Sequence, residues 1–510
     1  MENAQSTTMP APRSGAGDKG ESMEPAYCSA TRLAVMVRER EMTATELLEY
    51  FLDRTARHDP ALNAVVVSDP EAARERARAA DAALDRGECW GPLHGVPMTV
   101  KETYELVGMP ASAGAPKLRE HYPQRNAVSV QRLLDAGAVI YGKTNTPLYA
   151  GDLQTYNEIY GTTNNPWDVT RTPGGSSGGS AVALAAGLTP LELGSDIGGS
   201  IRTPAAFCGV CGHKPSYGVL SSRGHIPGPP GTLARADISV AGPLARSVDD
   251  LELAMGLLAG PDAEDAPGWR LELPAARRQE LSEFRVGAWL DDPGCAVDAE
   301  VVQVLEGVVR RLGEAGVRVD SNARPPGVDL RESHELYYRL LTATMGRGLP
   351  EKVFTGMLRQ AESVAPETAT ADDYPSVFAQ GATQRHAQWL GLNERRQHLR
   401  AAWQTLFQDI DVLLCPVIHT RPFPHDHTQP MAERRLAVNG EDRPYMDVLV
   451  WAGLIGVAYL PSTVVPVGRT SDGLPVGVQV VGPYLEDYTS LAFARHLEAL
   501  TGGFRAPPGF

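Results

Sequence analysis

Three residues in this chain could hold a proton relay without any histidine. Lys101 ends a short apolar run, GVPMTVK, where burial would drive its amine toward a usable base. Ser176 lies in the glycine-rich stretch GGSSGG, residues 174–179, and Ser200 follows Gly198 and Gly199 in GSDIGGSIRTP, residues 194–204. Glycines ahead of a serine leave backbone N–H groups unshielded, which suits a developing oxyanion. A neutral lysine could take a proton from one serine while that serine takes one from the next. A strand-end lysine is more often a plain surface charge, however, and spacing alone does not bring the three together.

Other motifs compete. GAVIYGKT, residues 137–144, fits the phosphate-loop pattern G-x-x-x-x-G-K-[ST]. That loop needs its strand before the first glycine, whereas Val139, Ile140 and Tyr141 put the strand inside it, and Pro147 discourages a helix at its end. Lys143 then reads as a strand-end lysine. GGSSGG also matches the nucleophile elbow G-x-S-x-G around Ser176 and again around Ser177. A loop, NNPWDVTRTP, precedes it in place of a strand, and nothing singles out His419, His425, His427 or His496 as a base. CGVC, residues 208–211, lacks the second pair that a zinc site needs. With HDH at 425–427, it reads as small buried thiols and a polar loop, so no metal is expected.

The elements that must position these residues alternate between helix and strand. Thr43 and Glu46 form a capping-box pattern, and Asp69-Pro70 opens a helix that stops at Gly87. GVPMTVK and AVIYG read as short buried strands, with AVSVQRLLDAG as a helix between them. The alternation recurs through residue 320, stretches of helix fill residues 328–445, and strands return with STVVPVG and PVGVQVVGP. This predicts an α/β fold, a large sheet covered by helices on both faces. One large domain over residues 27–510 with an embedded helical excursion accounts for the order. Residues 1–26, free of any apolar signal core and rich in Gly, Ser and Pro, read as a disordered leader.

Composition narrows the function classes. The 510 residues are 43% hydrophobic and 21% charged, with 47 basic and 62 acidic residues giving a net charge of −15. No basic field is available for nucleic acid. The longest apolar run, Val448 to Leu460, is shorter than the ~20 residues of a membrane span. Six irregularly spaced cysteines give no disulfide framework, so the cytoplasm is the default compartment.

Five ordered blocks carry a resemblance. GVPMTVKE (95–102), GKTNTPLY (142–149), TNNPWDVTRTPGGSSGGSAVALAAG (163–187), GSDIGGSIRTPAAFCGVCGHKPSYG (194–218) and GLPVGVQVVGP (473–483) together resemble the amidase signature family. The resemblance implies the fold of that family, a mixed sheet between helical layers, with the signature core at about 90–220. It implies Ser200 as nucleophile, Ser176 as bridging serine after a cis peptide from Gly175, and Lys101 as base. It also implies an oxyanion hole of the N–H groups of Ile197, Gly198, Gly199 and Ser200. Asp196 and Arg202 would brace that loop, and Ser177 would support it. No metal or organic cofactor is implied.

The implied activity is hydrolysis of a carboxylic amide through an acyl-enzyme on Ser200. Esters, anilides and carbamates present the same carbonyl. A small-molecule amide is the expected partner, and the oligomeric state, a homodimer included, is left open. The divergent stretch at about 328–460 carries Tyr337, Tyr338, Phe354, Trp389, Trp403 and Trp451, and a pocket lined by them would favour a hydrophobic substrate. The same aromatics could equally be core. The alternative is the glutamine-hydrolysing component of a tRNA-dependent amidotransferase, in which the loop usually reads SDTGGSIRQP. Here Ile197 and Thr203 replace its threonine and glutamine.

Overall fold

A small sheet and a large one meet at the candidate residues. The computed structural model describes residues 24–226, 228–364 and 373–510. In the small sheet β1 (Val65–Ser68), β2 (Pro97–Lys101) and β3 (Val139–Thr144) lie in the order β1-β3-β2, with β2 parallel to the central β3. All residues of β2 and β3 are buried, as continuous apolar runs require. A minimal hairpin, β4 (Tyr156–Asn157) and β5 (Gly161–Thr162), follows.

The large sheet begins with β6 (Leu191–Asp196), β7 (Cys211–Lys214) and β8 (Val240–Ala245). It continues with β9 (Arg285–Ala288), β10 (Arg318–Asp320) and β11 (Val412–Pro416). A separate hairpin, β12 (Arg435–Val438) and β13 (Glu441–Pro444), precedes the last two strands, β14 (Ser462–Arg469) and β15 (Pro475–Val481). The strand order is β10-β9-β11-β15-β14-β7-β8-β6. The β9–β10 and β9–β11 pairs are parallel and the others antiparallel, so the sheet is mixed, as expected. Helices layer over it, Arg202–Cys208 against β14 and β15 and Asp487–Thr501 against β14. One apolar cluster runs from Cys28 to Leu497.

The capping expectations hold. Thr43 and Glu46 close a reciprocal capping box, and Asp69 caps the helix Pro70–Asp85. The divergent region is helical over Leu330–Met345, Glu351–Ser363, Tyr374–Ala382 and His386–Asp409. It also holds β11, which the alternation pattern passed over because a five-residue apolar run straight after a long helix has no period of its own. The expected leader lies outside the described residues up to position 23. Its last residues are anchored, with Ala26 buried and Glu24 paired to Arg54 at 2.9 Å. Among the described residues no helix is long and apolar enough to cross a membrane.

Candidate active site

Lys101 closes β2 with its whole side chain out of solvent. Its Nζ lies 2.7 Å from Ser176 Oγ and 3.0 Å from Ser195 Oγ. Burial pushes the amine down to about 7, against the opposing pull of the Asp196 and Glu192 carboxylates. An amine at that value is substantially neutral near pH 7 and can accept a proton.

Ser176 is held by the turn before the helix Gly178–Ala185, and the Gly175–Ser176 peptide is cis. Gly175 has no room for a side chain, since a Cβ would lie 2.7 Å from the Asp152 carbonyl oxygen. The Ser177 N–H donates to the Ser200 carbonyl at 3.1 Å, so the two glycine loops meet back to back. Ser177 Oγ donates to the Ser195 carbonyl at 3.3 Å, which joins its turn to the end of β6.

A buried ion pair braces the loop after β6. Asp196 and Arg202 are fully buried and pair at 2.9 Å. Burial alone would raise the Asp196 carboxyl, but the guanidinium outweighs it and holds the group well below its usual range. Arg202 also donates to the Ala452 carbonyl and to Gln479, tying the loop to the far side of the sheet. Gly199 has φ +105°, a conformation glycine adopts without strain. One expectation changes here. The Gly199 N–H donates to Asp196 Oδ1 at 2.9 Å, so it is turned into the brace and away from a substrate. Among the described residues the N–H groups of Ile197, Gly198 and Ser200 have no partner, which leaves three donors.

Two functional candidates escaped the motif-based expectations. Ser195 touches Lys101 Nζ, and its only signal was its place in the serine-rich loop stretch, directly before Asp196. Glu192, on the same strand, is completely buried and accepts a hydrogen bond from Thr99 Oγ1. Burial pushes its carboxyl up to about 8. An acid inside LELG gave no period-based sign of a polar interior.

The competing motifs dissolve. Gly142 and Lys143 lie within β3, so GAVIYGKT is a strand with its flanks. Lys143 is not the plain strand-end lysine expected; it is buried, with Nζ bonded to the Pro110 carbonyl. Cys208 and Cys211 are buried free thiols. Among the described residues no histidine ring hydrogen-bonds to Ser176, Ser177 or Ser200, and no cluster of His, Cys, Asp or Glu could hold a metal. Trp403, Trp451 and Tyr337 are all core, with Trp451 edge-on to Trp289, and of the three Tyr337 also hydrogen-bonds the Ser200 loop.

Comparison with known proteins identifies the family. The family model described as Amidase matches residues 46–491. A glutamyl-tRNA(Gln) amidotransferase chain of Acidothermus cellulolyticus is 34% identical over 496 residues, covering 92% of this chain and 94% of that protein. A solved amidase superposes with a TM-score of 0.75 at 30% identity, covering 93% of this chain and all of that one. A 6-aminohexanoate cyclic dimer hydrolase solved with its substrate gives a TM-score of 0.75 at 26% identity, over 95% of this chain and 99% of its own. With a family match and relatives spanning nearly its whole length, this chain belongs to the amidase signature family and is a C–N hydrolase.

Proposed function

We propose that the chain hydrolyses a carboxylic amide through an acyl-enzyme on Ser200, with Ser176 and Lys101 as its proton relay. The observation that carries this reading is the buried Lys101 amine 2.7 Å from Ser176 Oγ. Neutral Lys101 takes the Ser176 proton, Ser176 takes the Ser200 proton, and Ser200 Oγ adds to the amide carbonyl carbon. The tetrahedral oxyanion is received by the N–H groups of Ile197, Gly198 and Ser200. The C–N bond then breaks as the relay returns a proton to the departing nitrogen. Water, deprotonated by the same relay, releases the acid and restores Ser200.

The choice of amide divides two readings. The aromatic pocket is thinner than the sequence suggested, since Trp403 and Trp451 are core and the apolar groups beside Gly198 are Tyr337 and Leu449. The 34% identity to an amidotransferase subunit, over nearly the full length of both chains, favours the alternative, with glutamine as substrate and a second protein as partner. Ile197 and Thr203 weigh toward a chain that works alone on another small amide. Turnover of a panel by the purified chain separates them: glutamine, an aryl anilide, a fatty amide, an amino-acid amide and a carbamate. Hydrolysis of glutamine alone, and only with an added partner, assigns the amidotransferase role. Turnover of simple amides without tRNA, ATP or a partner assigns the stand-alone hydrolase.

A further inference from the structure

We propose that Tyr337, from the divergent helix Leu330–Met345, is a positioning residue that aims the oxyanion hole by holding the Ile197–Gly198 peptide. The inference rests on Ser200 being the nucleophile, as proposed above.

Tyr337 Oη donates to the Ile197 carbonyl at 3.1 Å, and both residues are shielded from solvent except for a partly open Ile197 side chain. The Ile197–Gly198 peptide is trans, so its C=O and N–H point in opposite directions. A tyrosine fixed on the carbonyl therefore fixes the direction of the Gly198 N–H, away from the helix. The rest of the loop follows the same rule. The Gly199 carbonyl accepts from the Thr203 N–H at 2.7 Å and the Ser200 carbonyl from the Ser177 N–H at 3.1 Å. The held Gly199 carbonyl fixes the Ser200 N–H as the held Ile197 carbonyl fixes the Gly198 N–H, while the Ser200 carbonyl belongs to the peptide whose Ile201 N–H donates to Asp196 Oδ2 at 3.1 Å. Each hold but one comes from the signature core. The exception is Tyr337, which links the divergent region to the catalytic loop.

Two glycines make room for this contact. A Cβ on Gly453 would fall 2.5 Å from the Tyr337 ring, and a Cβ on Gly198 would fall 2.5 Å from its hydroxyl oxygen. The next atom of Tyr337, Cζ, would lie 3.8 Å from that Gly198 Cβ, so the hydroxyl alone closes the space on this side. Leu449 Cδ2, at 3.0 Å from the same point, is the flexible end of a side chain.

The test is Tyr337→Phe, which deletes one oxygen and keeps the ring. Its readouts are kcat and KM on a p-nitroanilide or p-nitrophenyl ester, the labelling rate of Ser200 by a fluorophosphonate, and inhibition by a trifluoromethyl ketone. The expected result is a fall of about tenfold or more in kcat and in labelling rate, with KM little changed. Affinity for the ketone, which forms an oxyanion on Ser200, should fall with kcat. Gly198→Ala should harm the Tyr337→Phe enzyme less than the wild type, because the hydroxyl it collides with is gone. Tyr338→Phe, one residue along the same helix, serves as the control that keeps full activity. A Tyr337→Phe enzyme with wild-type kcat and labelling rate, or one whose KM rises and melting temperature falls while kcat holds, overturns the proposal. Activity retained by Ser200→Ala, or a wild-type chain labelled elsewhere, overturns the underlying reading instead.

Discussion

Lys101 and Lys143 lie on adjacent strands and are equally shut off from water, yet they face opposite sides of the small sheet. Lys101 pairs with Thr144 across the β2–β3 ladder, while Lys143 pairs with Val100. Cross-strand partners share a face and successive residues alternate, so the one-residue offset sends the two amines apart. Burial lowers both, Lys101 to about 7 and Lys143 to about 8. Low basicity therefore does not select the base. The partners do: serine hydroxyls for Lys101, a backbone carbonyl for Lys143.

The first expected outcome concerns pH. The proposed relay needs neutral Lys101, so kcat/KM should fall about tenfold per unit below pH ~7, as the amine takes up its proton. Lys101→Met should lose about 10²–10⁴-fold in kcat, whereas Lys143→Met should leave the activity of the folded fraction close to wild type. The stability sign is separate. The folded chain releases the Lys101 proton near 7 and the unfolded chain near 10.5, so the unfolded state binds more protons between those values. This group's contribution makes stability rise with pH across that window. Urea melts of wild type and Lys101→Met at pH 7 and pH 9 read the difference.

The nucleophile is checked by mapping. A sulfonyl fluoride or fluorophosphonate should label Ser200, which is 4% exposed and sits beside the free N–H groups. Ser200→Ala should abolish turnover with an unchanged melting temperature. A label on Ser176 or Ser177 would reverse the assignment and restore the nucleophile elbow.

Ser195 should behave as a supporting group. Removing its hydroxyl deletes one hydrogen bond to Lys101 Nζ, an interaction worth roughly 0.5–1.5 kcal/mol. Ser195→Ala should therefore lower kcat by about two- to tenfold. A loss as large as that of Lys101→Met would make Ser195 part of the relay itself.

The Asp196–Arg202 pair should matter first for stability. Both side chains have no solvent contact, so Arg202→Met strands a carboxylate that also braces Gly199 and Ile201. Breaking such a pair costs about 3–5 kcal/mol. Chemical denaturation should show a loss of that order, and the folded remainder should label slowly at Ser200. The Asp196 carboxyl is held below its usual range, so its stabilisation is present above the ordinary carboxylate value and is lost as pH falls below it.

What the residues alone determined is the local chemistry. The buried strand ending in Lys101, the glycine-flanked serines and the helix caps are written in nearest-neighbour terms, because burial, φ freedom and capping depend on a few adjacent side chains. Legible too was the alternation at β2, β3, β9, β14 and β15, whereas β11 and the β12–β13 hairpin fall where helix alone was expected, because such short runs carry no period. What only the tertiary structure decided depends on contacts between distant segments. The strand register set Lys101 against Ser176 and turned Lys143 to the other face. The packing of β6 against β2 brought Ser195 to Lys101 and Glu192 to Thr99. The folding of the helix at Leu330–Met345 onto the Ser200 loop brought the buried Tyr337 hydroxyl to the Ile197 carbonyl. Asp196 drew the Gly199 N–H away from the free donors of its loop by a hydrogen bond whose direction depends on backbone angles, and those no residue order displays.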